Sequence, residues 1–278
     1  MDNLIARSPF WLVVMLSLIL VELVWRMRTE RGYDGRSALT TLGLVAGNIP
    51  AAALNGVMLG SVFGAAWAVA PIRLPLDDWR TWAAGFVAVE FAYYWFHRLS
   101  HRVRWLWASH AVHHSAEQLT LLSSLRLGWT NLLSAGWLCY LPLVLLGFDP
   151  RLVIGLLALD LRYQFFLHTE ARISLGPLEW ILNTPTHHRV HHGSNAPYLD
   201  RNYGGIVIVF DRLFGTFASE RHDEPIRYGL VGRQAEPNPI KLSFREWREI
   251  ARDVAVARSL RGALHAMFAP PGTSSRTD

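Results

Sequence analysis

One cysteine, one lysine and few charges of either sign set this 278-residue chain apart. Charged residues make up 18% of it against 51% apolar, and mean hydropathy is positive, which argues against an ordinary soluble domain. Cys139 lies alone in an apolar run. A disulfide framework, a CxxC zinc site and a haem-attachment motif are therefore excluded, and a buried inert thiol is expected. Lys241 is the only lysine, so the net charge of +5 is an arginine charge, a bias expected of a GC-rich bacterial genome. These arginines are scattered between apolar segments. They form neither a continuous basic face nor a recognised motif, which excludes nucleic acid as a partner and fits charges flanking membrane segments. There is no internal repeat, no HExxH, and no fused cytochrome, flavin or iron–sulfur motif. No small-residue cleavage site follows the first apolar run, Pro9 to Trp25. Arg26 and Arg28 come next, so a retained anchor is expected rather than a signal peptide.

What the chain does have is apolar length. A bilayer span takes about 20 residues. After Pro9 to Trp25, an uncharged region runs from Ala38 to Ala70, interrupted by Gly47-Asn48-Ile49-Pro50 and Asn55-Gly56. It reads as two helices in a tight hairpin. Thr81 to Phe96, Thr130 to Phe148 and Arg151 to Leu167 follow, the last two pairing antiparallel, which brings the expectation to six membrane-embedded segments. Twelve tryptophans and eight tyrosines suit two membrane interfaces. The expected fold is all-α, a multi-pass transmembrane helical bundle with a histidine-rich cytoplasmic cap holding a dimetal site. Residues 1–80 would be membrane-anchor helices, 81–220 the metal domain, and 221–278 a cytoplasmic segment with an amphipathic helix over Arg245 to Arg261 and a disordered tail from Gly272. The arginines beside the histidines put that cap on the cytoplasmic side of an inner membrane. With six spans, however, the loop Arg26 to Arg36 would face outward despite its four arginines.

The histidines carry the chemistry. Nine of 12 fall in two windows. The first reads His97-Arg-Leu-Ser-His101 and His110-Ala-Val-His113-His114. The second reads His187-His188-Arg-Val-His191-His192-Gly193. His168 ends the last apolar segment, while His222 and His265 lie outside any pattern and read as ordinary. Helical residues three or four apart share a face, so each cluster is expected to aim two or three imidazoles at one spot. Eight or nine convergent imidazoles exceed what one metal takes, so two metals are expected. Glu90, Tyr94, His97 and His101 form one helical stripe; Asp160, Gln164 and His168 form another. The polar members are candidates to orient the ligands through their second ring nitrogen. Asn195, Asp200, Asn202 and Tyr203 follow the last box and could shape a pocket.

In this order between apolar segments, the three boxes resemble the fatty acid hydroxylase and sterol desaturase superfamily over roughly residues 80 to 220. Tyr163 to Glu170, Leu175 to Glu179, Asn183 to Gly193, Asn202 to Gly205 and Asp211 to Phe217 resemble its alkylglycerol monooxygenase-like and bacterial sterol desaturase branch. The resemblance implies a di-iron site, two Fe ions on His97, His101, His110, His113, His114, His168, His188, His191 and His192. It also implies an O2-dependent oxidoreductase that hydroxylates a fatty acyl, ether-lipid or sterol/hopanoid-like substrate, with C–C desaturation as the alternative. Some relatives carry a further histidine where this chain has Arg172; His187 could supply that imidazole, or the site could hold one ligand fewer. Electrons would come from a redox partner or diffusible reductant such as a cytochrome, a ferredoxin or tetrahydrobiopterin. A membrane zinc hydrolase is disfavoured by the lack of a catalytic glutamate in the boxes. A transporter or haem carrier is disfavoured by histidines at helix ends in tight triplets.

Overall fold

The computed structural model describes residues 9–273; most of the tail expected from Gly272 lies outside them. Among the described residues the chain is helical, with a single isolated bridge between Leu182 and Val207 and no strand. Helix α1 (Pro9–Arg28) is apolar along its exposed length, and Arg26 and Arg28 in its last turn complement the helix dipole. Its foot is polar and docked. Glu22 accepts from the Leu121 amide and the Thr169 hydroxyl, each at 2.6 Å, while buried Arg26 lies 3.3 Å from Glu170.

Asp34 caps α2 (Gly35–Val69) by accepting from the amides of Arg36 and Ser37. Its 35 residues form one helix, correcting the expected hairpin. Gly47 is there for packing, not turning: a Cβ on it would come 2.1 Å from the Trp129 ring, whose Nε1 donates to Leu44 O. Pro50 within the helix removes one backbone hydrogen bond, whereas a turn would strand several on an apolar exposed rod.

Helix α3 (Trp79–Arg102), capped by Asp78, packs on α7 (Pro150–Leu167), capped by Asp149. Val89, Tyr93, Leu152, Val153 and Leu156 form the core between them, joined by Phe63 from α2. Between α3 and α7 come α4 (Arg104–His110), α5 (Asn131–Ser134) and α6 (Leu141–Leu145). The span expected over Thr130 to Phe148 is thus broken into short turns. Ala135 adopts a left-handed φ of 59°, and Gly136 abuts Phe96 so closely that a Cβ would clash at 2.2 Å. Beyond α7 lie α8 (Pro185–His191), α9 (Val209–Leu213), α10 (Pro239–Val256) and α11 (Leu260–Phe268). The expected amphipathic helix is α10. It lies on the cap, where Glu246, Glu249 and Asp253 surround Arg104 of α4.

Among the described residues two helices, against the six segments expected, are long and apolar enough to cross a membrane: α1 from Phe10 and α2. Only 11% of each apolar window is buried, unlike a soluble core helix, and these exposed faces support membrane association. The C-terminal ends of α1, α3 and α7 and the N-terminal end of α2 meet at the histidines. The Arg26 to Arg36 connection is therefore on the histidine side, with the Asp34 amide donating to Gln118 Oε1 at 2.9 Å. With Ala38 to Ala70 inside one helix, the conflict that two spans there created for the arginine placement does not arise.

Candidate metal centre

Helix ends deliver nine imidazoles to one place. His97 and His101 sit one turn apart near the end of α3, His110 closes α4, and a 3-10 turn carries His113 and His114. His168 caps α7, α8 carries His188 and His191, and His192 follows it. Their ring nitrogens form two groups: His97, His101, His110, His114 and His191, and His113, His168, His188 and His192. Within each group the ligand atoms lie within 4.8 Å of one another. His97 and His101 aim at a single spot as expected, while the other two clusters are each divided between the groups. The pairs four apart stay together, while His113 and His191 cross to the opposite group. The groups abut, with the His114 and His192 rings stacked at 4.4 Å.

The spacing tests whether a cation fits. His110 Nε2 lies 3.0 Å from His97 Nε2, 3.1 Å from His101 Nε2 and 3.1 Å from His114 Nε2. One ring nitrogen has a single proton or a single lone pair, so it cannot hydrogen-bond to all three. A shared cation accounts for the contacts: bonds of about 2.1 Å at right angles put neighbouring nitrogens about 3.0 Å apart. In the second group, His168 Nε2 is 3.1 Å from both His113 and His188, and His188 is 3.1 Å from His192. The residues fit two cations.

Backbone carbonyls orient the rings. His97 Nδ1 donates to Tyr203 O at 2.8 Å, His168 Nδ1 to Gln164 O at 2.7 Å and His191 Nδ1 to Arg201 O at 2.9 Å. A carbonyl only accepts, so each proton sits on Nδ1 and the Nε2 lone pair faces inward. Burial first, then the neighbouring imidazoles, hold His110, His114, His188 and His192 well below the usual histidine range. The unfolded chain, with histidines near about 6.5, binds more protons than the folded one below neutrality. Stability of the metal-free protein should thus fall as pH drops through about 6.5, by up to about 1.4 kcal/mol per pH unit for each such histidine. Thermal melts of chelator-treated protein should move down steadily from about pH 7.5 to about 5.5; a flat profile would contradict this.

All nine imidazoles fall within residues 82–216, the stretch that matches the fatty acid hydroxylase family. This stretch is a fatty acid hydroxylase domain. The chain is similar to alkylglycerol monooxygenase of Homo sapiens, 39% identical over 247 residues, covering 87% of this chain and 54% of that protein. The Danio rerio protein of the same name is 48% identical over 160 residues, 58% of this chain and 35% of its own length. The ornithine lipid hydroxylase OlsE of Rhizobium tropici is 32% identical over 152 residues, 55% of this chain and 46% of its own. The chain spans about half the length of several curated relatives it matches. No solved structure matches it.

In the hydroxylase domain the polar candidates act at one remove from the rings. Glu90 Oε2 accepts from the Ile206 and Val207 amides, each at 2.9 Å, and so pins the loop whose Tyr203 carbonyl holds His97. Asp160 accepts from Gln164 Nε2 at 2.7 Å and lies so near Gly205 that a Cβ there would meet it at 2.0 Å. Gln164 reaches His168 through its backbone, while its side chain takes the Tyr93 hydroxyl. Tyr94 bonds Thr216 at 3.0 Å rather than any imidazole.

Two expected positions lie elsewhere. His187 is outside both groups: its ring packs edge-on against Phe217 at 5.3 Å, because it is one residue out of phase with His188 on α8. Arg172 is exposed and 3.7 Å from Glu220, so neither residue adds to the four-imidazole group. Asn195 anchors the C-terminal segment instead of lining the centre, donating to Glu224 Oε1 and accepting from the Arg227 amide. Sequence reasoning missed buried Asp211, which accepts from the amides of Tyr203 and Gly204 at 2.7 Å each, and Asn183, which donates to the Gly204 and Gly205 carbonyls. Both stood inside the family-like stretches, Asp211 as the one carboxylate of Asp211 to Phe217 and Asn183 four residues ahead of His187, and that was the available signal.

Proposed function

We propose that this domain is a membrane-bound lipid hydroxylase that holds two iron ions and uses O2 to oxidise a C–H bond. The observation that carries the reading is the pair of abutting groups, five and four inward-facing imidazoles. His97, His101, His110, His114 and His191 would hold one ion, and His113, His168, His188 and His192 the other. Iron bound there supplies the redox chemistry by which O2 is activated towards an unactivated C–H bond. The balance is R–H, O2, two electrons and two protons giving R–OH and water, with the electrons coming from a cytochrome, a ferredoxin or tetrahydrobiopterin.

The chain's own part is positioning. Carbonyls of Tyr203, Gln164 and Arg201 keep protons on Nδ1, so every oriented ring remains a lone-pair donor. Packing of α3 on α7 keeps bulk water from the core behind the rings. Residues 9–80 would anchor the domain in the membrane, 81–220 would form the catalytic unit and 221–273 would cover the cap. The arginines of the α1–α2 connection lie on the histidine side, which supports a cytoplasmic cap.

The names of the relatives make alkylglycerols and ornithine lipids the first substrates to screen. Protein purified without air or chelators should carry close to two irons per chain by mass spectrometry. A lipid that stimulates O2 uptake should gain one oxygen atom. A product lacking two hydrogens instead would make the enzyme a desaturase, and well-folded protein that binds no metal would overturn the reading.

A further inference from the structure

A cavity of about 310 Å³ opens beside the five-imidazole group and is lined by three arginines, Arg98, Arg102 and Arg201. Tyr203 of its lining lies against the imidazoles, its ring 5.8 Å from His97, 5.3 Å from His101 and 6.0 Å from His191. Asp200 is the one carboxylate in the lining, and it is engaged, accepting from Arg102 Nη1 at 2.8 Å and lying 3.6 Å from His101 Nδ1. Arg98 donates only to the Tyr94 hydroxyl and Arg201 only to the Gly215 carbonyl among the bonds described. Two guanidiniums thus face the cavity without a carboxylate. Arg201 lies between two residues in the left-handed region, Asp200 at φ 59° and Asn202 at φ 57°.

We propose that this cavity is an oxyanion site that takes the phosphate of a lipid headgroup beside the metal centre. Planar guanidiniums from α3 and from the loop after α8 suit the several oxygens of a phosphate, which they can bond in pairs. The surroundings favour a lipid over a free ion. Phe214 forms one wall and stacks on Tyr94, then meets Phe91, which is 43% exposed on α3; Leu213 beside it is 70% exposed. An apolar ledge therefore runs from the arginines to the open face of α3, where an alkyl chain can lie. The lipid half of the proposal rests on the reading of the centre as a lipid hydroxylase; the oxyanion half does not.

The test is calorimetric titration of the full chain in neutral detergent micelles. The probes are inorganic phosphate, a monoalkyl phosphate and the alcohol of the same chain length, with iron content measured on every sample. The alkyl phosphate should bind at least about tenfold tighter than the other two, the advantage falling about tenfold in Arg201→Gln and less in Arg201→Lys. Arg98→Gln should weaken it likewise, guarding against a defect peculiar to one variant. Alkyl phosphate no tighter than the alcohol would overturn the oxyanion site. Equal binding of inorganic and alkyl phosphate would overturn the lipid assignment. The preference persisting in protein that holds no iron would support this site while removing the hydroxylase reading.

Discussion

His188→Ala should lose about one of two irons per chain, whereas His191→Ala should retain both at saturating iron but release one more readily to chelator. The difference follows from the unequal groups. Without His191 the first group still has His97, His101, His110 and His114. Without His188 the second falls to three imidazoles and loses the ring that bridges His168 to His192 by 3.1 Å contacts. Neighbours that merely orient a ligand are worth about 10–100-fold in affinity, so loss of a ligand from the smaller group should cost at least the upper figure, and activity at least about 100-fold. The double variant His113→Ala/His191→Ala removes one ring from each group and should hold about one iron, in the first group, released readily to chelator. Equal iron in the two single variants would contradict the sorting into five and four.

Asp211→Ala should lower stability by about 3–5 kcal/mol, a large share of the usual 5–15 kcal/mol. The carboxylate is fully buried and accepts from the amides of Tyr203 and Gly204 and from the Thr216 hydroxyl. Truncation strands both amides away from water, at about 1–3 kcal/mol each. Tyr203 is also the residue whose carbonyl holds His97, so the surviving folded protein should bind the first metal about 10–100-fold more weakly. Asp211→Asn keeps the shape but turns an N–H donor towards the Gly204 amide, and should recover only part of the loss. Denaturant melts with metal titration check both effects. A variant with unchanged melting and metal affinity would remove Asp211 from the centre's support.

Much of the site was legible because ligand chemistry leaves its mark in composition and spacing. Pairs such as His97 with His101, or His188 with His192, are one helical turn apart, and periodicity alone puts them on one face. The apolar character of α1 and α2 was equally plain in their long, nearly uncharged stretches. Which ring serves which group was not legible. His113 and His191 sit among ligands of the opposite group because α7 and α8 approach from another side, a fact of packing rather than spacing. Gly47 read as a break and Gly136 did not, yet Gly47 is a notch for Trp129 within one helix while Gly136 accompanies a real break.

By itself the sequence determined the ligand type and the apolar helices that carry or flank the imidazoles. Those are properties of side chains and of local period. Only the tertiary structure decided the division into five and four, the exclusion of His187, and the use of backbone carbonyls to orient the rings. A carbonyl is present at every residue and so carries no signal in a sequence; what makes Tyr203 or Gln164 particular is where the fold brings it.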